Sequence, residues 1–170
     1  EATLEVLGYL LELGEIQKPE LIGQVLDVLA VMTSLSARSA VAEASDENIT
    51  DMVQLADQLV ANLGDEERST DVWIQFSDKM LSIHKNLVLR LVGNGLRTQF
   101  LSNTMFLGFE PDIDMSSLKQ QLIRLRDSIN SRDEVNVRDA IIERFHIIKT
   151  GLLKSAAAHD VDEERSESNA

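Results

Sequence analysis

The chain has 170 residues, of which 44% are hydrophobic and 4% aromatic, and it contains two prolines and eight glycines. A chain of this length can close one hydrophobic core, and so few aromatic residues, prolines and glycines give little sign of strands or tight turns. The composition therefore argues against β architectures and predicts a single all-α domain.

The charge balance restricts the partners of the chain. Sixteen basic residues stand against 29 acidic residues, which gives a net charge of -13. Long-range repulsion then disfavours a nucleic acid or an anionic membrane as a partner of this chain. The absence of cysteine removes disulfides and thiolate chemistry, and it agrees with a cytoplasmic location.

Neither a membrane segment nor a secretory signal is expected. The longest apolar stretches are interrupted by Asp27, Arg90 and Glu143, and none approaches the roughly 20 residues that span a bilayer. The chain opens on acidic residues and has no basic region ahead of an apolar one. Because it does not begin with Met, we expect it to be part of a longer protein.

Two helices are predicted before residue 45. The first has leucines on one face and can end at Gly14. The second begins at Pro19, whose missing N–H is not needed in a first helical turn, and runs to about Ala44. Its apolar residues recur at spacings of three and four, which predicts one buried face: Ile22, Val25, Leu26, Leu29, Met32 and Leu35.

The next two helices are joined by an acidic link. Ser45 or Asp46 can cap the third helix, which Gly64 would end. Residues 65–67 are all acidic and predict a surface link. A fourth helix would then be capped within residues 69–71.

A wide apolar face from Leu87 onward predicts a central fifth helix, which Gly108 and Pro111 would end. Residues 110–115 follow as a predicted loop.

The remaining chain predicts two helices and a tail. A sixth helix, capped by Ser116 or Ser117, is joined to a last helix from about Asp133 by a turn at residues 130–131. Residues 159–170 are acidic, small and polar, and predict a flexible tail after a domain over residues 1–158. Short connections between about seven helices are typical of an antiparallel bundle.

The three histidines are candidates for metal binding or catalysis. His84 lies near a predicted helix end, where a cation offsets the dipole, and His159 lies in the polar tail. His146 follows Phe145 in the middle of a helix and is expected to face the core. A structural role is favoured over chemistry for each of them.

Arginines near apolar segments are a second group of candidates. Arg38 lies among small residues, where it can meet either a polar ligand group or an acidic side chain of this chain. Arg90 and Arg97 lie two turns apart on one face of the fifth helix, and Arg97 can meet an anionic head group or solvent.

Flexible apolar side chains are the third signal. Thioethers and rings can line a cavity for a flexible chain, or they can fill the core. The residues concerned are Met32, Phe76, Met80, Phe100, Met105, Phe106 and Phe109.

Five segments, in order and at matching spacing, carry a family resemblance over roughly residues 4–153. The segments Pro19-Glu-Leu-Ile-Gly-Gln-Val-Leu-Asp-Val and Ala37-Arg38-Ser-Ala40 resemble the start of the effector domain in the acyl-CoA-responsive FadR branch of the GntR transcriptional regulators. The elements Asn86-Leu-Val and, eight positions later, Asn94-Gly95-Leu96-Arg97 are similar to that branch's Gly-Asn-Pro-Ile and Asn-Gly-Met-Lys. The run Val137-Arg-Asp-Ala-Ile-Ile-Glu-Arg-Phe145-His146 is similar to its last core helix.

The resemblance implies a fold and a function. In that family the region is a bundle of about seven helices behind an N-terminal winged helix-turn-helix, and we expect that DNA-binding domain to lie upstream of this chain. A fatty acyl-CoA would enter the bundle and change the DNA affinity of a homodimer.

Three departures from the family limit what carries over. The Asp and His that hold a metal in many relatives fall on Trp73 and Ser77, so we expect no metal at the remaining His146. The last helix of the acyl-CoA branch brings a Gly, a Ser and a Trp toward the ligand, and Phe145, Ile148 and Leu152 stand there instead. An arginine of the branch corresponds to Leu29. The ligand is therefore expected to be shorter, differently headed or differently bound.

The leading hypothesis is a non-enzymatic, ligand-sensing regulatory domain for a fatty acyl-CoA or related acyl compound, with no other cofactor. The expected ligand-binding residues are Val25, Leu29, Met32, Arg38, Phe76, Leu96, Arg97, Phe100, Phe145, Ile148 and Leu152. The alternative is a structural or dimerisation module whose pocket is closed by Phe145 and Ile148, which predicts a solid core. An enzyme is disfavoured because the sequence offers no nucleophile with its base, phosphate loop or ligand cluster.

Overall fold

A computed structural model of the chain describes residues 18–83, 87–88, 91 and 112–167. The predicted first helix and most of the predicted fifth helix lie outside these ranges. All regular structure within the ranges is α-helical, which confirms the all-α prediction. The five helices are α1 (Lys18–Glu43), α2 (Asp46–Ala61), α3 (Glu66–Ile83), α4 (Met115–Asn130) and α5 (Glu134–Glu167).

The first two described helices begin close to their predicted boundaries. Helix α1 starts one residue before Pro19, as expected of a proline in a first turn. The Ser45 hydroxyl accepts a hydrogen bond from the backbone N–H of Asn48 at 3.3 Å and caps α2. Helix α2 ends at Ala61, because Asn62 closes its last turn before the predicted stop at Gly64.

The predicted acidic link at residues 65–67 is wrong. Asp65 accepts a hydrogen bond from the backbone N–H of Arg68 at 3.0 Å, and α3 begins at Glu66. Glu66 and Glu67 therefore lie in the first turn, where negative charge interacts favourably with the helix dipole. The cap predicted within residues 69–71 is displaced because a carboxylate further upstream already supplies it.

The predicted cap of α4 is also corrected. The Asp114 carboxylate accepts hydrogen bonds from the backbone N–H groups of Ser116 and Ser117 at 3.0 and 3.2 Å. The two serines are therefore donors in the first turn, and Met115, predicted in the loop, is the first helical residue.

Helices α4 and α5 are joined by a tight turn with a left-handed residue. Arg132 has φ of 54°, its N–H donates to the Ile129 carbonyl, and the N–H of Asp133 donates to the Ser128 carbonyl at 2.9 Å. This pattern closes α4 in a Schellman motif. Asp133 then caps α5 by accepting from the N–H groups of Val135 and Asn136.

Helix α5 is longer than predicted, and the predicted burial of one of its residues is wrong. Its backbone is helical to Glu167, so residues 159–167 continue the helix instead of following it as a tail. His146 is exposed, contrary to the expected core position. It lies one turn after Ile142, which is 41% exposed, on the outer face of α5.

The helices contact one another in a closed ring. Helix α1 lies against α5 and α3, α4 lies against α5 and α2, and α2 lies against α3. Helices α1 and α5 are antiparallel, because Asp27 pairs with Lys149 while Arg38, further along α1, pairs with Glu134.

The main core lies where all five helices meet. Its fully buried side chains include Met52, Phe76, Leu122 and Ile141, contributed by α2, α3, α4 and α5. From α1 only the C-terminal half joins this core, through small residues such as Ala37. The N-terminal half of α1 packs elsewhere, along the middle of α5.

The sequence-based exclusion of a membrane helix is not supported for α1. By length and composition alone, Glu20–Glu43 is long and apolar enough to cross a bilayer. In this structure 44% of its apolar window is buried against the rest of the chain.

Candidate functional site

A strip of apolar side chains joins the first part of α1 to the middle of α5. We call it the α1–α5 seam. Its two clusters are distinct from the main core, and Phe145 packs against both. The residues of the seam are Ile22, Val25, Leu26, Leu29 and Met32 from α1, and Phe145, Ile148 and Leu152 from α5.

Phe145 links the seam to the main core. Besides the two seam clusters it packs against the main core, and its ring meets the Trp73 ring edge-on at a centroid distance of 6.4 Å. Trp73 is stacked on Phe76 at 5.6 Å. A displacement of Phe145 therefore affects α1, α3 and α5 together, because all three helices contact it or its aromatic neighbour.

The structure brings together most of the predicted ligand-binding residues that it describes. Val25, Leu29 and Met32 meet Phe145 in one cluster. Ile148 and Leu152 lie in the adjoining cluster, and Phe76 is in the main core behind Trp73. Leu96, Arg97 and Phe100 lie outside the described residues, and no structural statement about them follows.

Arg38 is separated from the seam. Its Nε donates to the Glu134 carboxylate at 3.3 Å, and the two side chains are 51% and 43% exposed. Of the two alternatives for Arg38, the ion pair with an acidic residue is the one observed. Lys149 forms a second pair between α1 and α5, with Asp27 at 2.6 Å.

Arg144 is a buried cation that the sequence-based site does not include. It is 7% exposed, and its Nε and Nη1 atoms have no hydrogen-bond partner. Its guanidinium carbon lies 3.9 Å from the centroid of the Trp73 ring, in a cation–π contact. Burial lowers the pKa of Arg144 to about 10, so the group stays charged at neutral pH.

The sequence does carry a signal for Arg144. Residues four apart on a helix lie about 40° from each other around the axis. Arg144 is four residues after buried Ala140 and four before Ile148, so it occupies an inward position of the last helix. An arginine at such a position is the unusual feature, because unpaired charges are rarely buried.

A second buried polar group lies between α4 and α5. Gln121 is fully buried, and its Nε2 donates to the Ala140 carbonyl at 2.8 Å. Its Oε1 has no hydrogen-bond partner. Gln121 Oε1 is therefore an unsatisfied acceptor at the contact between α4 and α5. Ala140, which the Gln121 side chain contacts, lies one helical turn before Arg144.

Two surface concavities in the described ranges lie away from the seam. One, of about 470 Å³, is lined by α4 and the α4–α5 turn, and the other, of about 500 Å³, by α2 and α3. Both are open and have polar and apolar lining in about equal parts, and no predicted ligand-binding residue lines either of them. The seam is instead filled by its own side chains, so a ligand there requires them to move apart.

The site consists of apolar side chains and one cation. An apolar seam adjoins a buried, unpaired guanidinium, and the seam and Arg144 include no Asp, Glu, His, Ser or Thr. Within the described ranges no three His, Asp or Glu residues lie close enough to share a metal ion. Comparison of the chain with models of protein families, with curated proteins and with solved structures finds no match.

Proposed function

We propose that the chain is the ligand-sensing domain of a FadR-like transcriptional regulator and binds a fatty acyl-CoA or related acyl compound in the α1–α5 seam. The observation that carries the proposal is the seam itself. It brings residues of α1 and α5 that lie more than 100 positions apart in sequence into one apolar strip outside the main core. The α1 residues are Val25, Leu29 and Met32, and the α5 residues are Phe145, Ile148 and Leu152. The resemblance to the FadR branch supports the same site, with the fold completed to about seven helices.

The seam suits a switch because it is small and separate from the main core. Inserting an acyl chain would part α1 from α5 while the main core keeps the other helices together. Each buried CH₂ contributes about 0.8 kcal/mol, so several of them bias two arrangements of the helices by several kcal/mol. The bias reaches the start of α1, on the side where the resemblance implies a winged helix-turn-helix.

The proposal extends to the assembly and its location. The domain acts in the cytoplasm as a homodimer, and DNA is contacted only by the upstream domain. The net charge of -13 supports this division, because the sensing domain repels the DNA backbone.

A thermal-shift series tests the proposal. Acyl-CoAs of increasing chain length should raise the unfolding temperature progressively, since a ligand that binds only the folded state stabilises it by mass action. Coenzyme A without an acyl chain is the matched control and should produce a smaller shift. No stabilisation at any chain length would contradict the proposal.

The alternative is a structural or dimerisation module without a ligand. It is favoured by the packing of Phe145, which contacts the main core and both seam clusters and so fills the space between them. Under this alternative Phe145→Ala destabilises the protein and creates no ligand affinity. Under the sensing function the same variant binds longer acyl chains than the wild type does.

A further inference from the structure

We infer that Arg144 binds the carboxylate of an apolar acid beside the α1–α5 seam, so that the free acid binds more tightly than its thioester. The inference rests on the proposed function and adds the chemical class of the head group. It is carried by the burial, the missing partners and the surroundings of this one side chain.

Arg144 differs from five other arginines of the described ranges, which each form an ion pair with a carboxylate at the surface. They are Arg38, Arg124, Arg126, Arg132 and Arg138. Arg144 has lost nearly all contact with water, and its Nε and Nη1 donate to nothing. A buried cation in this condition is costly, because neither solvent nor an anion compensates its charge.

The acidic residue next to Arg144 on α5, Glu143, forms its ion pair with Arg124. Oε1 of Glu143 accepts a hydrogen bond from Nη2 of Arg124 at 2.8 Å, and Oε2 lies 2.6 Å from the same nitrogen without a hydrogen bond. The charge of Arg144 is therefore left for an anion that the described part of the chain does not supply.

The contact with Trp73 leaves the hydrogen-bonding edges of the guanidinium available. The guanidinium carbon lies over the Trp73 ring, 3.9 Å from its centroid, and the indole offers the N–H groups of Arg144 no oxygen or nitrogen acceptor. A carboxylate can accept two parallel hydrogen bonds along such an edge. The ring thus holds the cation in place without competing for its donors.

The apolar side chains near Arg144 favour a ligand whose remaining part is apolar. Ile148 and Leu152 follow Arg144 at spacings of four on the inner side of α5, over about 12 Å of helix. Phe145, the next residue, touches both seam clusters. An acid with its carboxylate on Arg144 would therefore extend its apolar chain along the seam.

The head group decides between an acid and its thioester. A carboxylate neutralises the buried guanidinium, whereas a thioester carbonyl or an alcohol leaves the charge unpaired. The chain as a whole carries a charge of -13 and repels anions at long range. Local pairing with Arg144 is what offsets that repulsion for a small acid.

The test compares decanoate, decanol and decanoyl-CoA, each below its micelle concentration, by calorimetric titration at neutral pH. Decanoate should bind the wild-type protein roughly tenfold or more tightly than the other two. Arg144→Met should bind decanoate and decanol equally, and Arg138→Met, which removes a surface arginine of the same helix, should behave as the wild type. A second measurement is the urea midpoint without ligand, which Arg144→Met should raise because it removes an unpaired buried charge.

The outcomes separate the inference from the proposed function. If decanol or decanoyl-CoA binds the wild type as tightly as decanoate, or if Arg144→Met keeps the preference, the inference is overturned and the sensing function stands. If Arg144→Met lowers the midpoint, Arg144 has an internal partner and the inference is again overturned. If none of the three compounds binds, the proposed function itself fails.

Discussion

Arg132 holds the turn between α4 and α5 against an unfavourable backbone conformation. Its φ of 54° costs an L-residue other than glycine about 1 kcal/mol. Its side chain compensates by donating to the carbonyls of Val41 and Ala44, at 3.3 and 2.7 Å, and to the Asp46 carboxylate at 2.8 Å. The turn is thereby tied to the link between α1 and α2.

We predict that the backbone conformation of Arg132 lowers the free energy of unfolding and that its side chain raises it. Arg132→Ala keeps the strain and loses the hydrogen bonds, and it should lower the free energy of unfolding by about 1–3 kcal/mol. Arg132→Gly also loses the bonds but relieves the strain, so it should be about 1 kcal/mol more stable than the alanine variant. Urea unfolding of both variants measures the difference, and equal stabilities would show that the backbone is not strained.

Gly151 allows the segment before α4 to lie directly on α5. The N–H of Asp112 donates to the Gly151 carbonyl at 3.2 Å, and a Cβ at position 151 would come within 2.7 Å of the Asp112 carbonyl oxygen. Gly151→Ala should therefore destabilise the protein by about 1–2 kcal/mol, although alanine is the better helix former. Gly64→Ala, which meets nothing within 4 Å, should be neutral or slightly stabilising in the same thermal unfolding series. A stabilising Gly151→Ala would contradict the close approach.

Single residues were the hardest feature to predict from the sequence. The periodicity of α5 identified its buried strip, but it did not distinguish His146 from Arg144, two residues apart. A step of two residues turns the helix by about 200°, so one is exposed and the other is buried. Hydrophobicity favoured His146 as the buried residue, which is wrong, because arginine is the less expected of the two in a core. The left-handed conformation of Arg132 likewise had no signal, since glycine is the usual residue there.

At the scale of helices, the caps of α4 and α5 make stability depend on pH. The pKa of Asp114 is lowered mainly by the Ser117 hydroxyl and then by the backbone N–H groups of Ser117 and Ser116. The pKa of Asp133 is lowered by the backbone N–H of Asn136, then by the Asn136 side chain and the N–H of Val135. A carboxyl with a lower pKa in the folded state stabilises the protein above its unfolded pKa of about 4, and this stability is lost as the pH falls through the folded pKa.

We predict that cap variants of these aspartates lose their effect in acid. Asp114→Asn and Asp133→Asn should unfold at lower urea concentration than the wild type at neutral pH, and at the wild-type concentration once the pH is well below the folded pKa. Ser45→Ala removes a cap that does not titrate, so its effect should be the same at both pH values. A pH-independent difference for the aspartate variants would show that their charge plays no part in capping.

Helix positions were largely predictable, and helix starts less so. The boundaries of α1 followed from Pro19 and the apolar spacing, whereas α3 begins several residues before its predicted cap. Aspartate and serine both cap helices, and periodicity cannot choose between candidates in a polar stretch. The same ambiguity displaced the cap of α4 from Ser116 or Ser117 to Asp114.

At the scale of the molecule, the excess of acidic residues should make stability increase with salt. Described ion pairs such as Arg38–Glu134 and Lys149–Asp27 are largely exposed and contribute little, whereas the net charge of -13 causes repulsion throughout the chain. Raising NaCl from about 0.01 M to about 1 M shortens the Debye length from about 30 to about 3 Å. The thermal midpoint should therefore rise, and a fall would mean that the ion pairs outweigh the repulsion.

The all-α class of the described residues was predictable from the sequence. The division of the buried side chains into the main core and the α1–α5 seam was not. Periodicity predicts the buried face of α1 correctly except at Leu35, which is 44% exposed, and it is silent on what that face meets. Only the packing separates Ala37, in the main core, from Val25 and Leu29, in the seam. The predicted apolar site residues converge because they lie on the inner faces of two helices that run antiparallel. Arg38 was misplaced because small neighbours do not reveal whether a long side chain turns inward.

Native mass spectrometry of the protein as purified from cells tests the sensing function most directly. The account predicts a bound apolar small molecule on the wild type, and its loss from Leu29→Trp, which fills the seam. Val28→Trp is the matched control, because Val28 is 50% exposed on the outer face of the same helix and should leave the ligand bound. A bare mass for the wild-type protein, unchanged after incubation with decanoate or decanoyl-CoA, would contradict the account.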